Sequence, residues 1–202
     1  LVGSEMCIRD RDYKTGKKSF DLTEVWNGLG LQMLLYLFTL ERNGGHLFSQ
    51  GTAAGVEYLW ADPAPENIIR PETDDAEPLQ AQNYPLEGLL LDEPSIYHAM
   101  DTRGTGAFVP LSFSAKTGEP TAQSAKARLA DREKFNRIRD HLDGMLTDMA
   151  KNLYSGEIDA APLVPNAGKS PCLWCEYRTV CRHADGEGER TPLKLDDPFG
   201  AE

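Results

Sequence analysis

The densest run of apolar positions lies between Leu22 and Leu40. There Val25, Trp26, Leu29, Leu31, Met33, Leu34, Leu35, Leu37, Phe38 and Leu40 fall on almost every face of a helix. A helix that is apolar all round is a buried one. The pattern predicts one helix over 22–42, with Asp21 as N-cap, Glu24 as the second half of a capping box, and Asn43-Gly44-Gly45 as its end. A second stripe recurs every three or four residues through Phe135, Ile138, Leu142, Met145, Met149 and Leu153, and predicts a helix over 122–154 capped by Gly156. Between them, 53–60 (AAGVEYLW) reads as a strand. Residues 62–84, rich in Pro, Asp and Glu, read as a surface loop, and 85–101 as a short helical region with a proline break. Phe108 to Phe113 alternates as a strand does, with Pro110 favouring an edge. From Asp185 onward the chain is polar, Gly-rich and acidic, the pattern of a disordered tail, so that 184–202 stands apart.

Composition adds limits. The longest apolar run, Leu29 to Leu40, is interrupted by Gly30, Gln32 and Thr39 and falls short of the ~18 residues a membrane span needs. With no secretory pattern at the start, the expected location is cytoplasmic. The net charge of −11 argues against nucleic acid as a partner, because DNA affinity comes mostly from Lys and Arg on phosphates. Much of the acid sits in 72–77 and 185–202, however, which read as solvated segments. The cysteines are clustered rather than dispersed: Cys172, Cys175 and Cys181 lie within ten residues. Without a signal peptide, that reads as ligation rather than a disulfide framework.

The first ten residues break the pattern. A buried central strand reads as a continuous apolar run, and Cys7-Ile8-Arg9-Asp10-Arg11 does not. The segment LVGSEMCIRD resembles translated sequencing-adapter read-through, so 1–10 reads as a non-native leader and the native sequence as beginning at Arg11 or Asp12.

Three constellations carry chemistry. In Asp12-Tyr13-Lys14 a carboxylate and an ammonium two apart on a strand point to the same face. The carboxylate suits Mg²⁺ or Mn²⁺, and the lysine can orient water and offset charge on a phosphate. Gln32 and Tyr36, four apart, share a helix face; the pair is either a satisfied core glutamine or two polar tips at the rim of a metal site. Cys172-x-x-Cys175-x5-Cys181, flanked by Trp174 and Tyr177, is a soft-ligand set for zinc or an Fe–S cluster, with His183 available as a further zinc ligand. Cys7 would complete a set of four but lies in the leader.

Together, D-Y-K-T-G-K, the helix with G-L-Q-M-L-L-Y-L and the terminal C-x2-C-x5-C resemble the RecB-type branch of the PD-(D/E)XK nucleases, in particular the AddB-type B subunits of bacterial ATP-dependent helicase/nucleases. The resemblance covers 12–183 and includes A-G-V-x-Y at 54–58, G-L-L-L-D-E-P at 88–94 and Ala99-Met100-Asp101. It implies an α/β restriction-endonuclease-like core over 11–183, truncated at its N-terminus. It also implies Asp12 as the metal-binding acid, Tyr13 as a main-chain carbonyl ligand, Lys14 as the catalytic lysine, and Gln32 and Tyr36 as the family's third motif. Cys172, Cys175 and Cys181 are implied as three of four ligands to a [4Fe–4S] cluster.

The implied reaction is Mg²⁺-dependent hydrolysis of DNA during double-strand-break repair and recombination, with an AddA-like helicase subunit as partner. The family's upstream His, first catalytic Asp and fourth Cys have no counterpart here, so the expectation is that this piece is inactive alone. A CRISPR-associated Fe–S adaptation nuclease shares the D-x-K and cluster spacing but lacks so long an insertion after Gln32. A non-catalytic Fe–S or zinc scaffold is the alternative of another class. No Walker A motif is present, so nucleotide is not expected on this segment.

Overall fold

The computed structural model describes residues 7–14, 19–46, 51–60, 86–164, 170–181, 183 and 187–193. The proposed loop at 62–84 and the end of the tail lie outside the described residues. The chain divides into two compact units, one of residues 1–20 with 30–139, the other of 21–29 with 140–202.

The first unit is built on a four-stranded sheet in the order β1-β2-β3-β4: β1 (Cys7–Lys14), β2 (Thr52–Trp60), β3 (Leu86–Leu91) and β4 (Leu129–Ala130). β1 runs parallel to β2, β2 antiparallel to β3, and β3 parallel to β4. The parallel β1–β2 pair requires a crossover, which helix α2 (Gln32–Asn43) supplies while packing on both strands. β2 is buried continuously from Ala53 to Tyr58 and β3 from Gly88 to Leu91, as expected of central strands covered on both faces. Among the described residues, Leu34, Leu37, Val56, Leu89, Leu90, Val109 and Ile138 are the largest fully buried aliphatic side chains of this unit's core. β1 includes Cys7 to Asp10, which pair with Thr52 to Val56.

Several expectations need correcting. The single helix over 22–42 is two: α1 (Leu22–Trp26) and α2, with Gly28 and Gly30 between them at φ +88° and +66°, a left-handed backbone no helix accommodates. Nor is α2 buried all round. Met33, Leu34, Leu37 and Phe38 are buried, while Gln32, Tyr36 and Thr39 are exposed. The helical region at 85–101 begins instead with β3, because its apolar run G-L-L-L is a buried strand. Pro94 then opens α3 (Pro94–Met100) at a first-turn position, where its missing N–H costs nothing. Residues 108–113 form no strand; a single bridge joins Phe113 to Pro120, and Val109 and Leu111 are buried by the irregular chain itself.

The helix over 122–154 is interrupted. α4 (Ala122–Arg128), capped by Thr121 through Ser124 N, gives way to β4, and Asp131 starts α5 (Arg132–Ser155) by accepting from Lys134 N at 2.8 Å. Gly156, at φ +78°, ends α5 as expected.

In the second unit, Asp21 caps α1 through Thr23 N at 2.7 Å. Trp26 stacks on His141 with ring centroids 4.2 Å apart, and the imidazole Nε2 lies 3.0 Å from the Trp26 carbonyl. The segment after 185 is not wholly disordered. Arg190 exchanges backbone hydrogen bonds with Pro162 and Val164, and Asn27 grips the backbone of Leu193 through both ends of its amide.

Candidate active site

Asp12, Tyr13 and Lys14 are the last three residues of β1. Register sets position 12 opposite Tyr58 and position 14 opposite Trp60 on β2. Positions 12 and 14, two apart on one strand, share a face of the sheet with position 58, and the ring of Phe20 lies 6.4 Å from that of Tyr58. The D-Y-K triplet is thus on a strand, beside the helix that carries Gln32 and Tyr36.

On α2, Gln32 Nε2 donates to Tyr36 Oη at 3.1 Å, one helical turn on. Both side chains are exposed, Tyr36 by half, so the core-glutamine account of this pair does not hold. Apolar residues on one side of α2 bind it to the sheet, leaving these two polar tips in solvent where a ligand can reach them.

Two carboxylates escaped the sequence reading. Glu41 Oε1 accepts from the backbone N–H of Ala53 at 2.8 Å, and its Oε2 lies 3.7 Å from Arg139 Nη1. The first contact joins the last turn of α2 to the start of β2 and so fixes the crossover, and the second ties the same turn to α5. Its signal was present: Glu41 stands seven after Leu34 and four after Leu37, at the spacing of the buried stripe. Glu57 is fully buried in mid-β2, opposite position 11 on β1 and Gly88 on β3, on the other face of the sheet from position 12. A lone acid inside AAGVEYLW was the sign of it; a buried carboxylate must be compensated by its surroundings.

Cys172, Cys175 and Cys181 lie in the second unit. Ser170 caps the short 3-10 turn Pro171–Trp174 by accepting from Cys172 N, Cys175 follows as its C-cap, and Cys181 ends α6 (Arg178–Cys181). Cys172 is half-buried, Cys175 and Cys181 are exposed, and none is in a disulfide. The expected convergence is absent: among the described residues no three His, Cys, Asp or Glu side chains come together to hold a metal ion. His183 Nε2, two residues beyond Cys181, is buried and has no hydrogen-bond partner among the described residues.

No helix among the described residues is long and apolar enough to cross a membrane. The family model of the PD-(D/E)XK nuclease superfamily matches residues 3–182. The B subunit of the ATP-dependent helicase/deoxyribonuclease of Symbiobacterium thermophilum is 31% identical over 199 residues, covering 95% of this chain and 16% of its own. The protein of the same name from Thermoanaerobacter pseudethanolicus is 32% identical over 187 residues, 89% of this chain and 16% of that one. A third, from Exiguobacterium sibiricum, is 28% identical over 188 residues, again covering 16% of its length.

Proposed function

Since this chain belongs to the PD-(D/E)XK nuclease superfamily, we propose that it is part of the nuclease domain of a bacterial helicase/deoxyribonuclease B subunit, acting in the cytoplasm on DNA opened by an AddA-like partner during break repair and recombination. The observation that carries the proposal is the placement of positions 12 and 14 on one face at the end of β1, against the crossover helix that holds Gln32 and Tyr36. Asp12, with the Tyr13 carbonyl, is the ligand set for Mg²⁺ or Mn²⁺; a bound divalent cation supplies charge at the scissile phosphate. Lys14 orients the attacking water and offsets negative charge developing in the transition state. Gln32 and Tyr36, joined by their own hydrogen bond, keep a donor and a hydroxyl at the rim.

The test is cleavage of labelled DNA by the full-length protein that carries this sequence, with and without Mg²⁺ or Mn²⁺. Asp12→Ala and Lys14→Ala should each abolish metal-dependent cleavage while leaving DNA binding in place. Undiminished cleavage by Asp12→Ala would refute the assignment. A [4Fe–4S] cluster on Cys172, Cys175 and Cys181 belongs to the same reading and rests on thiol spacing alone. Anaerobically purified full-length protein should then absorb near ~400 nm. A colourless protein containing zinc would exclude the cluster.

A further inference from the structure

Although the chain is acidic overall, residues 101–128 carry four Lys or Arg against two Asp or Glu. Of those two acids, Asp101 is buried and turned inward, accepting from Gly106 N at 2.6 Å, Thr105 Oγ1 at 3.2 Å and Arg103 N at 3.3 Å. The outer surface of the segment is therefore more basic than its composition. Among the described side chains, Arg103, Lys116 and Lys126 are the cations that form no ion pair and no hydrogen bond; the others all have partners. All three are exposed, and all three lie in this one segment.

The segment is held firmly. It leaves the sheet after β3 through α3 and returns through α4 to β4. A small core of Leu90, Tyr97, Val109, Leu111 and Leu129 closes it, with Phe113 and Ala125 packed alongside. Arg103 projects from the turn built on Asp101, Lys116 from the turn below the Phe113–Pro120 bridge, and Lys126 from α4 next to Ala125. Phe108, in the same segment, is 55% exposed. Cations left unpaired on a rigid frame, together with an exposed aromatic ring, are what a single nucleic-acid strand requires: charges for phosphates and a face for a base.

We propose that Arg103, Lys116 and Lys126 contact the phosphates of a single DNA strand flanking the cleavage site, with Phe108 as a stacking face. The choice of DNA as the polyanion rests on the nuclease reading above. Register places the frame to one side of the scissile position. Leu90 on β3 lies level with Gly55 and, through it, with position 9 on β1. That is two strand spacings across and three residues back from Asp12, roughly 10 Å in each direction. Contacts there hold the strand without touching the reacting phosphate, so they govern KM and not kcat.

The experiment measures affinity of the full-length protein for a fluorescein-labelled single-stranded oligodeoxynucleotide across a salt series, beside its cleavage kinetics. The combined variant Arg103→Gln, Lys116→Gln, Lys126→Gln should bind more weakly at low salt. Its plot of log affinity against log salt should be shallower by about 2, at roughly 0.7 per phosphate contact. KM should rise with kcat unchanged. Phe108→Ala should weaken binding without altering the slope. As a control, Lys151→Gln removes an exposed cation already paired with Asp148 and should leave the slope as it was. An unchanged slope in the combined variant overturns the proposal, as does an equal shift in Lys151→Gln, or a loss confined to duplex DNA. If Asp12→Ala leaves cleavage intact while the combined variant loses binding, the nuclease assignment fails and the binding surface stands.

Discussion

Gly88 of β3 sits where a methyl group would meet the carbonyl oxygen of Val56 at 2.1 Å, and Gly55 of β2 faces the carbonyl of Leu89 at 2.6 Å. Both obstacles are backbone and cannot swing aside. These are the glycines of A-G-V-x-Y and G-L-L-L-D-E-P, and the antiparallel register of β2 and β3 supplies the reason for them. Gly88→Ala should lower stability by about 1–3 kcal/mol or more, read from denaturant unfolding. Tyr36→Phe makes the opposite kind of prediction. Its hydroxyl accepts only at the surface, so the melting temperature should hardly move, while cleavage by the full-length protein should fall about 10–100-fold if the hydroxyl supports the metal site. A fall in melting temperature with activity preserved would make the pair merely structural.

Tyr97 is buried, and its phenol is held above the ordinary value of 10.0, first by loss of solvent and then by the charges of Glu119 and Asp92. Because the folded state keeps the proton longer than the unfolded chain, stability is complete below pH 10 and declines as pH climbs past it toward the raised value. Tyr97→Phe should flatten that alkaline decline in a series of melts.

At the level of elements, periodicity identified where helices run but not where they stop. The stripe through Phe135, Ile138 and Leu142 is real, yet Leu129 and Ala130 leave the helical path to pair with β3, a gain that exists only once β3 is in place. Asp131 then begins α5 anew. Asp131→Ala removes the bond to Lys134 N and should cost about 0.5–2 kcal/mol, with the loss of helix visible by circular dichroism. An unchanged unfolding curve would show that packing, not the cap, sets this boundary. The division of 22–42 into α1 and α2 was legible in Gly28 and Gly30, but the apolar residues on either side obscured it. The amphipathic character of α2 was legible as well: Gln32, Tyr36 and Thr39 mark the outward side. Glu41 was readable only as an anomaly, since its partner, the Ala53 amide, arrives from twelve residues away.

Across the whole molecule, net charge was a poor guide to local surface. The −11 total argued against DNA, yet among the described side chains the unpaired cations collect in one segment, and the burial of Asp101 enhances the contrast. The kinds of residue needed for hydrolysis, the D-Y-K pattern, the Q-x3-Y spacing and the cysteine run are local, and the order of side chains along a strand or helix follows from backbone geometry alone; these the amino-acid sequence determined by itself. Tertiary structure decided which strand lies beside β1, which glycines face a neighbouring carbonyl, and which cations stay unpaired, because each depends on segments that meet only after long loops have closed.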